Sequence, residues 1–290
     1  MLKNVFILFF TLLITNGLYS QANLLNAISV EQIGLKTNDQ IKADIDKPLP
    51  YGYVADRDIL WSKVVWEIID LNQKINLPFY FPIDTTTVVS SRRSLFDTLM
   101  AGIKKGEIKD VYSDANFLNK MTDEDLSKQL YASQSDGFDD ETGEAIVDEF
   151  TISNKDVQSY QIKGIWFFDK LQGELKYRLL AIAPMALDVQ GKVSGIKDDN
   201  SYPLFWVYYP LVRNTLHKSK VFNPDNSISP ISYDHLLNAR RFSSVIVREE
   251  NIYGNRAIED YVRGNSLFQL LEANKIKEDI RNREIDMWNY

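Results

Sequence analysis

The spacing of apolar residues changes along the chain, from a helical period in the first half to alternation in the second. In DILWSKVVWEIIDLNQKINL, from Asp58 to Leu77, apolar residues recur every three to four positions, the period of one helix face. They form two adjacent stripes, Leu60, Val64, Ile68, Leu71 and Ile75 in one, and Trp61, Val65 and Ile69 in the other. Asp58 can cap such a helix and Pro78 stops it. The pattern predicts a helix over 58–77.

Two shorter helices are predicted before residue 132. One starts near Ser94 and ends before Gly106. The other starts at Thr122, which forms with Asp125 a pattern that resembles a capping box with Asp in place of Glu. Between the first two helices, the short segment PFYFP is predicted to be extended.

Alternating segments follow in the second half of the chain. SYQIKGIWFFDK and ELKYRLLAIAPM flank the turn sequence Leu171-Gln172-Gly173, which predicts a hairpin over 159–185. LFWVYYP, from Leu204 to Pro210, predicts a third strand near 204–209. Both of its alternating faces are apolar or amphipathic, which favours a buried central strand. A protein–protein face and a sugar-binding platform remain alternatives for this aromatic segment.

Two helices are predicted near the C-terminus. Ser232 can cap a helix that runs through Arg240. A charged helix from about Ser266 to Trp288 is expected to turn its apolar residues inward, namely Leu267, Leu270, Leu271, Ile276 and Ile280. The order of elements predicts an α+β protein with a helical N-terminal part, a small antiparallel sheet and a long C-terminal helix.

The chain divides into five predicted segments. Residues 1–20 have a short basic start, an apolar run and a small final residue, the layout of a signal peptide cleaved between Ser20 and Gln21. An extended arm (21–57), a mainly helical region (58–132), an acidic loop or linker (133–151) and an α+β region (152–290) follow. We expect the last region to pack with 58–132 as one globular unit.

Charge and composition narrow the classes of function. The net charge is −7, and ten acidic residues fall between Asp123 and Glu149 against the single Lys128. Such a stretch repels itself and predicts a solvated loop, and it lacks the residue order of an EF-hand calcium loop. Nothing in this charge favours nucleic acid as a partner. Because the sequence has no Cys, we expect no disulfide, thiolate metal site or lipid-bearing Cys.

Candidate catalytic residues are few. The two histidines, His217 and His235, lack the spacing of a metal-binding or nucleophile motif. Asp169 and Glu174 flank the hairpin turn, whereas the carboxylates of a glycosidase oppose each other across a sugar-sized cleft. We therefore predict a non-enzymatic protein without catalytic residues, metal site or cofactor.

Several blocks of the sequence, taken in order, resemble one family. They are RDILWSKVVWEIIDLNQKINLPFYFP, SLFDTLMAGIKKGEI, IKGIWFFDK, YRLLAIAP, LFWVYYP, VFNP, IEDYVRG and IKEDIRNREIDMWNY. From about Pro50 to Tyr290, the chain resembles the gliding-motility protein N family, GldN or PorN, of the type IX secretion system. The resemblance implies a periplasmic component without catalytic activity, near the inner face of the outer membrane.

The resemblance also implies the partners. Members of this family assemble into a large ring with an outer-membrane-associated lipoprotein, and an inner-membrane motor complex drives the machine. We expect self-association in the ring, no nucleic acid and no membrane span. The residues predicted to bind partners are Pro48, Pro50, Tyr51, Tyr53, Trp206 and Tyr209. The alternative function is that of an exported carbohydrate-binding or hydrolytic protein.

Overall fold

A long antiparallel sheet organises the chain. The computed structural model describes residues 48–83, 92–138, 145–189, 200–221, 231–252 and 254–288. The predicted signal peptide, its cleavage site between Ser20 and Gln21, and the part of the predicted arm before Pro48 lie outside the described residues.

The strands of the described residues form one large sheet and two small ones. Their bounds are β1 Ile59–Asp70, β2 Val111–Tyr112, β3 Tyr131–Phe138, β4 Ala145–Thr151, β5 Val157–Asp169, β6 Glu174–Leu187, β7 Ser201–Pro203, β8 Trp206–Tyr208, β9 Lys220–Val221, β10 Ile231–Ser232 and β11 Val245–Glu249. The large sheet has seven strands in the order β11-β1-β5-β6-β8-β2, and β7 also pairs with β6. Its pairings are antiparallel. The pairs β3–β4 and β9–β10 form the small sheets.

Seven α-helices lie within the same part of the chain, besides two 3₁₀ helices, Asp56–Asp58 and Lys74–Asn76. Their bounds are α1 Leu77–Tyr80, α2 Leu95–Lys104, α3 Asp123–Leu130, α4 Tyr209–Lys218, α5 Tyr233–Asn238, α6 Ile258–Tyr261 and α7 Ser266–Trp288. Ser94, Thr122 and Ser232 cap α2, α3 and α5 with their side chains, as predicted. The helix predicted to run through Arg240 ends at Asn238. The long C-terminal helix is confirmed as α7.

The predicted small sheet and helical N-terminal part are wrong, because most of the segment predicted as a helix over 58–77 is strand β1. Members of both predicted stripes lie four residues apart, such as Leu60, Val64 and Ile68. Four is also an even number, so these residues share one face of a strand as readily as one face of a helix. The many β-branched and aromatic residues of the segment favour the strand. With β1 included, the sheet is large.

The short segment PFYFP is also not extended as predicted. Its first residues lie in α1, which starts at Leu77 with Pro78 in its first turn. That position suits proline, because the first N–H groups of a helix have no partner within the helix. Phe79 is fully buried by this turn and contacts the rings of Tyr160 and Tyr233.

The predicted acidic loop at 133–151 is wrong where the structure describes it, because β3 and β4 pair there as a hairpin. Ser133 is opposite Glu149, so this acidic residue has a neutral cross-strand neighbour. The ladder therefore forms without placing like charges directly across from each other at this position. Residues 139–144 lie outside the described part of the chain.

The hairpin predicted over 159–185 is confirmed. β5 and β6 pair along their length down to Asp169 opposite Glu174. Gly173 closes the turn with a φ of 64°, a conformation that favours glycine. In LFWVYYP, by contrast, the strand covers only Trp206–Tyr208, between β6 and β2, and α4 begins at Tyr209. The strand is therefore internal to the sheet but shorter than predicted.

Buried apolar side chains form three groups. The largest includes residues of α2, α4 and α5 with strand residues such as Ile162 and Ile182. The second joins β1, β11, α6 and α7. The third surrounds Trp66 and Trp206. Val65 and Trp66 are adjacent in β1 yet belong to different groups, because successive strand side chains point to opposite faces.

Candidate interaction surfaces

Residues 48–55 form an extended strap that is held on the chain by Tyr51. The Cζ atoms of Arg213 and Arg178 lie 4.2 Å and 4.7 Å from the centroid of the Tyr51 ring. The Tyr51 hydroxyl donates to Oδ1 of Asn238 at 2.9 Å. The two arginines also donate to strap carbonyl groups, at 2.7 Å and 3.1 Å. The end of the predicted arm is therefore docked on the chain's own surface.

A buried ion pair lies beneath this strap. Arg213 on α4 donates from Nε and Nη2 to the two carboxylate oxygens of Asp234 on α5, at 2.8 Å and 3.0 Å. The Tyr209 hydroxyl donates to Oδ1 of Asp234 at 2.9 Å and accepts from Nδ2 of Asn238 at 2.9 Å. Burial lowers the pKa of Arg213, but the bonds to Asp234 outweigh burial and leave it raised. Burial raises the pKa of Tyr209, so its hydroxyl keeps its proton. The network fixes the groups that Tyr51 contacts.

A second buried ion pair connects α7 to the sheet. Glu67 on β1 is 1% exposed and accepts from Nη1 and Nη2 of Arg240, at 3.1 Å and 2.8 Å. The Ser244 hydroxyl donates to the same carboxylate, and Nζ of Lys277 on α7 donates to the Ser244 carbonyl at 2.6 Å. The guanidinium of Arg240 lies 4.0 Å from the centroid of the Tyr177 ring. This network fixes the position of α7 beside β11.

Helix α7 has two apolar faces, of which the described residues cover one. Ala273, Ile276 and Ile280 are 1%, 3% and 4% exposed and pack in the second buried group. The opposite face consists of four apolar residues that are 43–61% exposed, Leu267, Phe268, Leu270 and Leu271. At 3.6 residues per turn, its centre lies roughly 170° around the helix from the packed stripe. We call these four residues the α7 apolar face.

The α7 apolar face corrects one prediction. Leu267, Leu270 and Leu271 were expected to face inward, and they do not. Helical spacing shows that residues share a face but does not show which face meets the core. The signal that could have revealed it is the density of apolar residues in SLFQLLEANKI, which exceeds what one narrow stripe can bury.

An open groove lies between α2 and α3. Its apolar lining consists of Phe96, Met100, Ile103, Leu126, Leu130 and Ile152. Asp97, Lys104 and Asp123 contribute charged groups to the same lining. The groove has a volume of about 750 Å³, and we call it the α2–α3 groove. An apolar groove with charged edges is the form of site that accepts an amphipathic helix. No pattern in the sequence predicts this groove, because α2 and α3 meet only through the tertiary fold.

The predicted partner-binding residues fall in two kinds of place. Four of them lie in the strap, Pro48, Pro50, Tyr51 and Tyr53. Tyr53 is 93% exposed and open to a partner. Trp206 and Tyr209 are 3% and 0% exposed, so a partner contact is not available to either side chain in this conformation. Their partner-binding role stays a prediction that these positions do not favour.

His217 and Asp169, two of the four residues weighed for catalysis, have structural partners. Nδ1 of His217 lies 3.4 Å from Oγ of Ser232, the cap of α5. Nζ of Lys176 donates to Asp169 at 3.0 Å, and this hydrogen bond lowers the pKa of Asp169. Across the described residues, no three His, Asp or Glu side chains are grouped as metal ligands. Among the helices of the described ranges, none combines the length and apolar character needed to span a membrane.

Comparison with known proteins covers nearly all of this architecture. A family model described as gliding motility associated protein GldN matches residues 54–289. A comparison with curated proteins found no match. The matched range starts within the strap and extends past α7, so it contains both buried ion pairs, the α7 apolar face and the α2–α3 groove.

Proposed function

Because the chain belongs to the GldN family of gliding motility associated proteins, we propose that it is a non-enzymatic structural component of the type IX secretion and gliding machinery. In this proposal the protein is exported to the periplasm and lies near the inner face of the outer membrane. It forms a large ring there with an outer-membrane lipoprotein, and an inner-membrane motor complex drives the assembly. The signal-peptide layout of residues 1–20 supports export.

The observation that carries the proposal is the α7 apolar face. Burial of apolar surface stabilises a protein by about 25 cal/mol per Å², so four large apolar side chains exposed together forgo this stabilisation in the isolated chain. Contiguous exposed patches of this kind mark sites of protein interaction. Leu267, Leu270 and Leu271 also have the i, i+3, i+4 spacing with which helices anchor in partner grooves. A component that works by assembly needs such a surface.

Gliding cells provide the test. The face variant, Leu267→Glu with Leu271→Glu, replaces the chain in cells and is compared with Leu118→Glu combined with Leu171→Glu. These two control leucines are 79% and 77% exposed and lie outside α7. We expect the face variant to keep its melting temperature and to lose gliding. The control variant should keep both its melting temperature and gliding.

Two results would contradict the proposal. One is full gliding in cells that contain the folded face variant at normal levels. The other is saturable binding of the purified chain to a defined glycan, which would favour an exported carbohydrate-binding protein.

Replacement of His217 and His235 together should leave gliding intact. Loss of gliding in a stably folded double variant would indicate chemistry at a histidine.

A further inference from the structure

We propose that the α7 apolar face of one copy of this chain binds in the α2–α3 groove of a second copy. Copies would then join head to tail. This inference rests on the proposed function, because it names the two surfaces through which a structural component associates with itself. The shape, exposure and charge of the two surfaces support it.

The α7 apolar face has the form of an insert. Its four residues lie within the first two turns of α7, so they cover one side of a helix over a short length. The helix cannot turn this face toward its own sheet, because Ala273, Ile276 and Ile280 already hold the opposite side there. Lys277 adds a polar contact on that side through the Ser244 carbonyl. The face is therefore fixed in an outward orientation.

The α2–α3 groove has the form of a receptor for such an insert. Its lining comes from two helices and from the residues that follow β4, so an entering helix would be contacted on both flanks. Met100, Ile103 and Leu130 pack on the large core only in part and leave some of their surface in the groove. Leucine and phenylalanine side chains match this apolar lining.

The two surfaces lie on different sides of one molecule. Helix α7 packs on β11, at one edge of the large sheet. Helix α3 lies beside the end of β6 and β7, where Lys128 and Gln129 share a pocket with Pro203 and Leu204. Since the packed stripe holds α7 at β11, one chain cannot place its own face in its own groove. The contact therefore requires a second copy.

Contact area favours the groove over a second α7 apolar face as the occupant. Four half-exposed large side chains cover roughly 300–400 Å², about half of the ~800 Å² that each partner of a stable complex buries. Two such faces stacked on each other would remain below that area. A groove that contacts both flanks of the helix recruits additional surface around the four residues.

Charges of both signs lie beside the two surfaces and can pair. Arg263 precedes α7 and Lys275 follows the apolar face along the helix, both exposed, with the partly buried Glu272 between them. The groove carries Asp97 and Asp123 beside Lys104, and Asp97 also pairs with Arg93 at 3.5 Å. Such pairs orient a complex and speed its formation more than they strengthen it.

An interface between two different surfaces of identical chains leaves a free face at one end and a free groove at the other, so further copies can add.

Sedimentation velocity of the purified full chain tests the proposal with two complementary variants. The face variant is Leu267→Glu with Leu271→Glu, and the groove variant is Met100→Glu. Because Met100 is partly buried, Ser127→Trp serves as a second groove variant that fills the groove from an exposed position. The variant with Leu118→Glu and Leu171→Glu is the matched control. Circular dichroism melts establish that each variant is folded.

We expect the wild type and the control to self-associate as concentration rises. The face variant and each groove variant should associate more than tenfold more weakly. An equimolar mixture of face and groove variants should form a 1:1 complex that does not grow, because the intact groove of one variant accepts the intact face of the other. Only a head-to-tail interface gives this rescue.

Three results would overturn the inference. They are a wild type that stays monomeric at the highest soluble concentration, groove variants that associate like the wild type, and a mixture that stays monomeric. If the groove variants associate like the wild type, the α7 apolar face binds another occupant, such as a lipoprotein or a segment outside the described residues. If the face variant loses gliding and any of these three results is also found, the proposed function stands and the interface is contradicted. If the mixture associates but cells with the face variant glide normally, the interface stands and the proposed function is contradicted.

Discussion

The chain attaches its helices to the sheet in two different ways. Helices α4 and α5 lie in the largest buried group, where Leu216 and Leu237 are fully buried and the ion pair of Arg213 with Asp234 joins the two helices. The long helix α7 is held by one narrow apolar stripe and leaves its other face in solvent. Different helices therefore supply the stability of the fold and the surface for assembly. We expect that a substitution can change one of these two properties without changing the other.

The largest expected effect comes from breaking the ion pair near α7. Glu67→Ala leaves the guanidinium of Arg240, whose side chain is only 23% exposed, without its carboxylate, and breaking a buried pair in this way typically costs about 3–5 kcal/mol. Urea denaturation measures the loss. The matched control is Lys218→Ala, which removes an ion pair with Glu107 whose side chains are 66% and 34% exposed and should cost at most about 1 kcal/mol. Equal losses in the two variants would show that burial does not separate these pairs.

A smaller difference separates two leucines on helices. Leu216→Ala on α4 removes a fully buried side chain and should cost about 2–5 kcal/mol, because it leaves a cavity. Leu267→Ala on α7 makes the same chemical change at a residue that is 61% exposed and should change stability by about 0.5 kcal/mol or less. Thermal and urea unfolding of both variants give the comparison. A large loss for Leu267→Ala would mean that the α7 apolar face supports the fold of the single chain.

The smallest expected effect is in the strap. Tyr51→Phe keeps the ring between Arg178 and Arg213 and removes only the hydrogen bond to Asn238, which should cost about 0.5–1.5 kcal/mol. Tyr53→Phe, at a residue that is 93% exposed, is the control and should leave stability unchanged. Urea unfolding measures both. No difference between the two variants would mean that the Tyr51 hydroxyl contributes nothing to docking of the strap.

Elements with strong local signals were predictable from the sequence. The caps at Ser94, Thr122 and Ser232 mark helices whose start depends on a side chain three residues from its backbone partner. The hairpin of β5 and β6 depends on alternation and on a turn glycine, Gly173, which are equally local. These elements need no distant residue to define them.

The elements that the sequence pattern predicts wrongly depend on contacts with residues far away in the chain. The spacing of apolar residues in β1 fits a helix as well as a strand, and its pairing with β5 and β11 adds to the preference of its β-branched and aromatic residues for the strand. The β3–β4 hairpin pairs Glu149 with the neutral Ser133, a register that a count of charges does not reveal. The α7 apolar face was misread because spacing shows a shared face and not its direction, and the α2–α3 groove exists only once two separate helices meet.

The position of β1 also has a consequence for the order in which the chain can fold. Ile68 pairs with Val245, about 180 residues later, and Ile69 pairs with Tyr160. Contacts this distant close large loops, which makes folding slow. The sheet cannot be completed until the part of the chain that holds β11 has become available.

A chain shortened to end at Arg241 should therefore unfold without the sharp transition of the full chain, as followed by circular dichroism. It should also expose the apolar side of β1 that α7 covers. In the intact chain, elements synthesised long after β1 complete the environment of that strand.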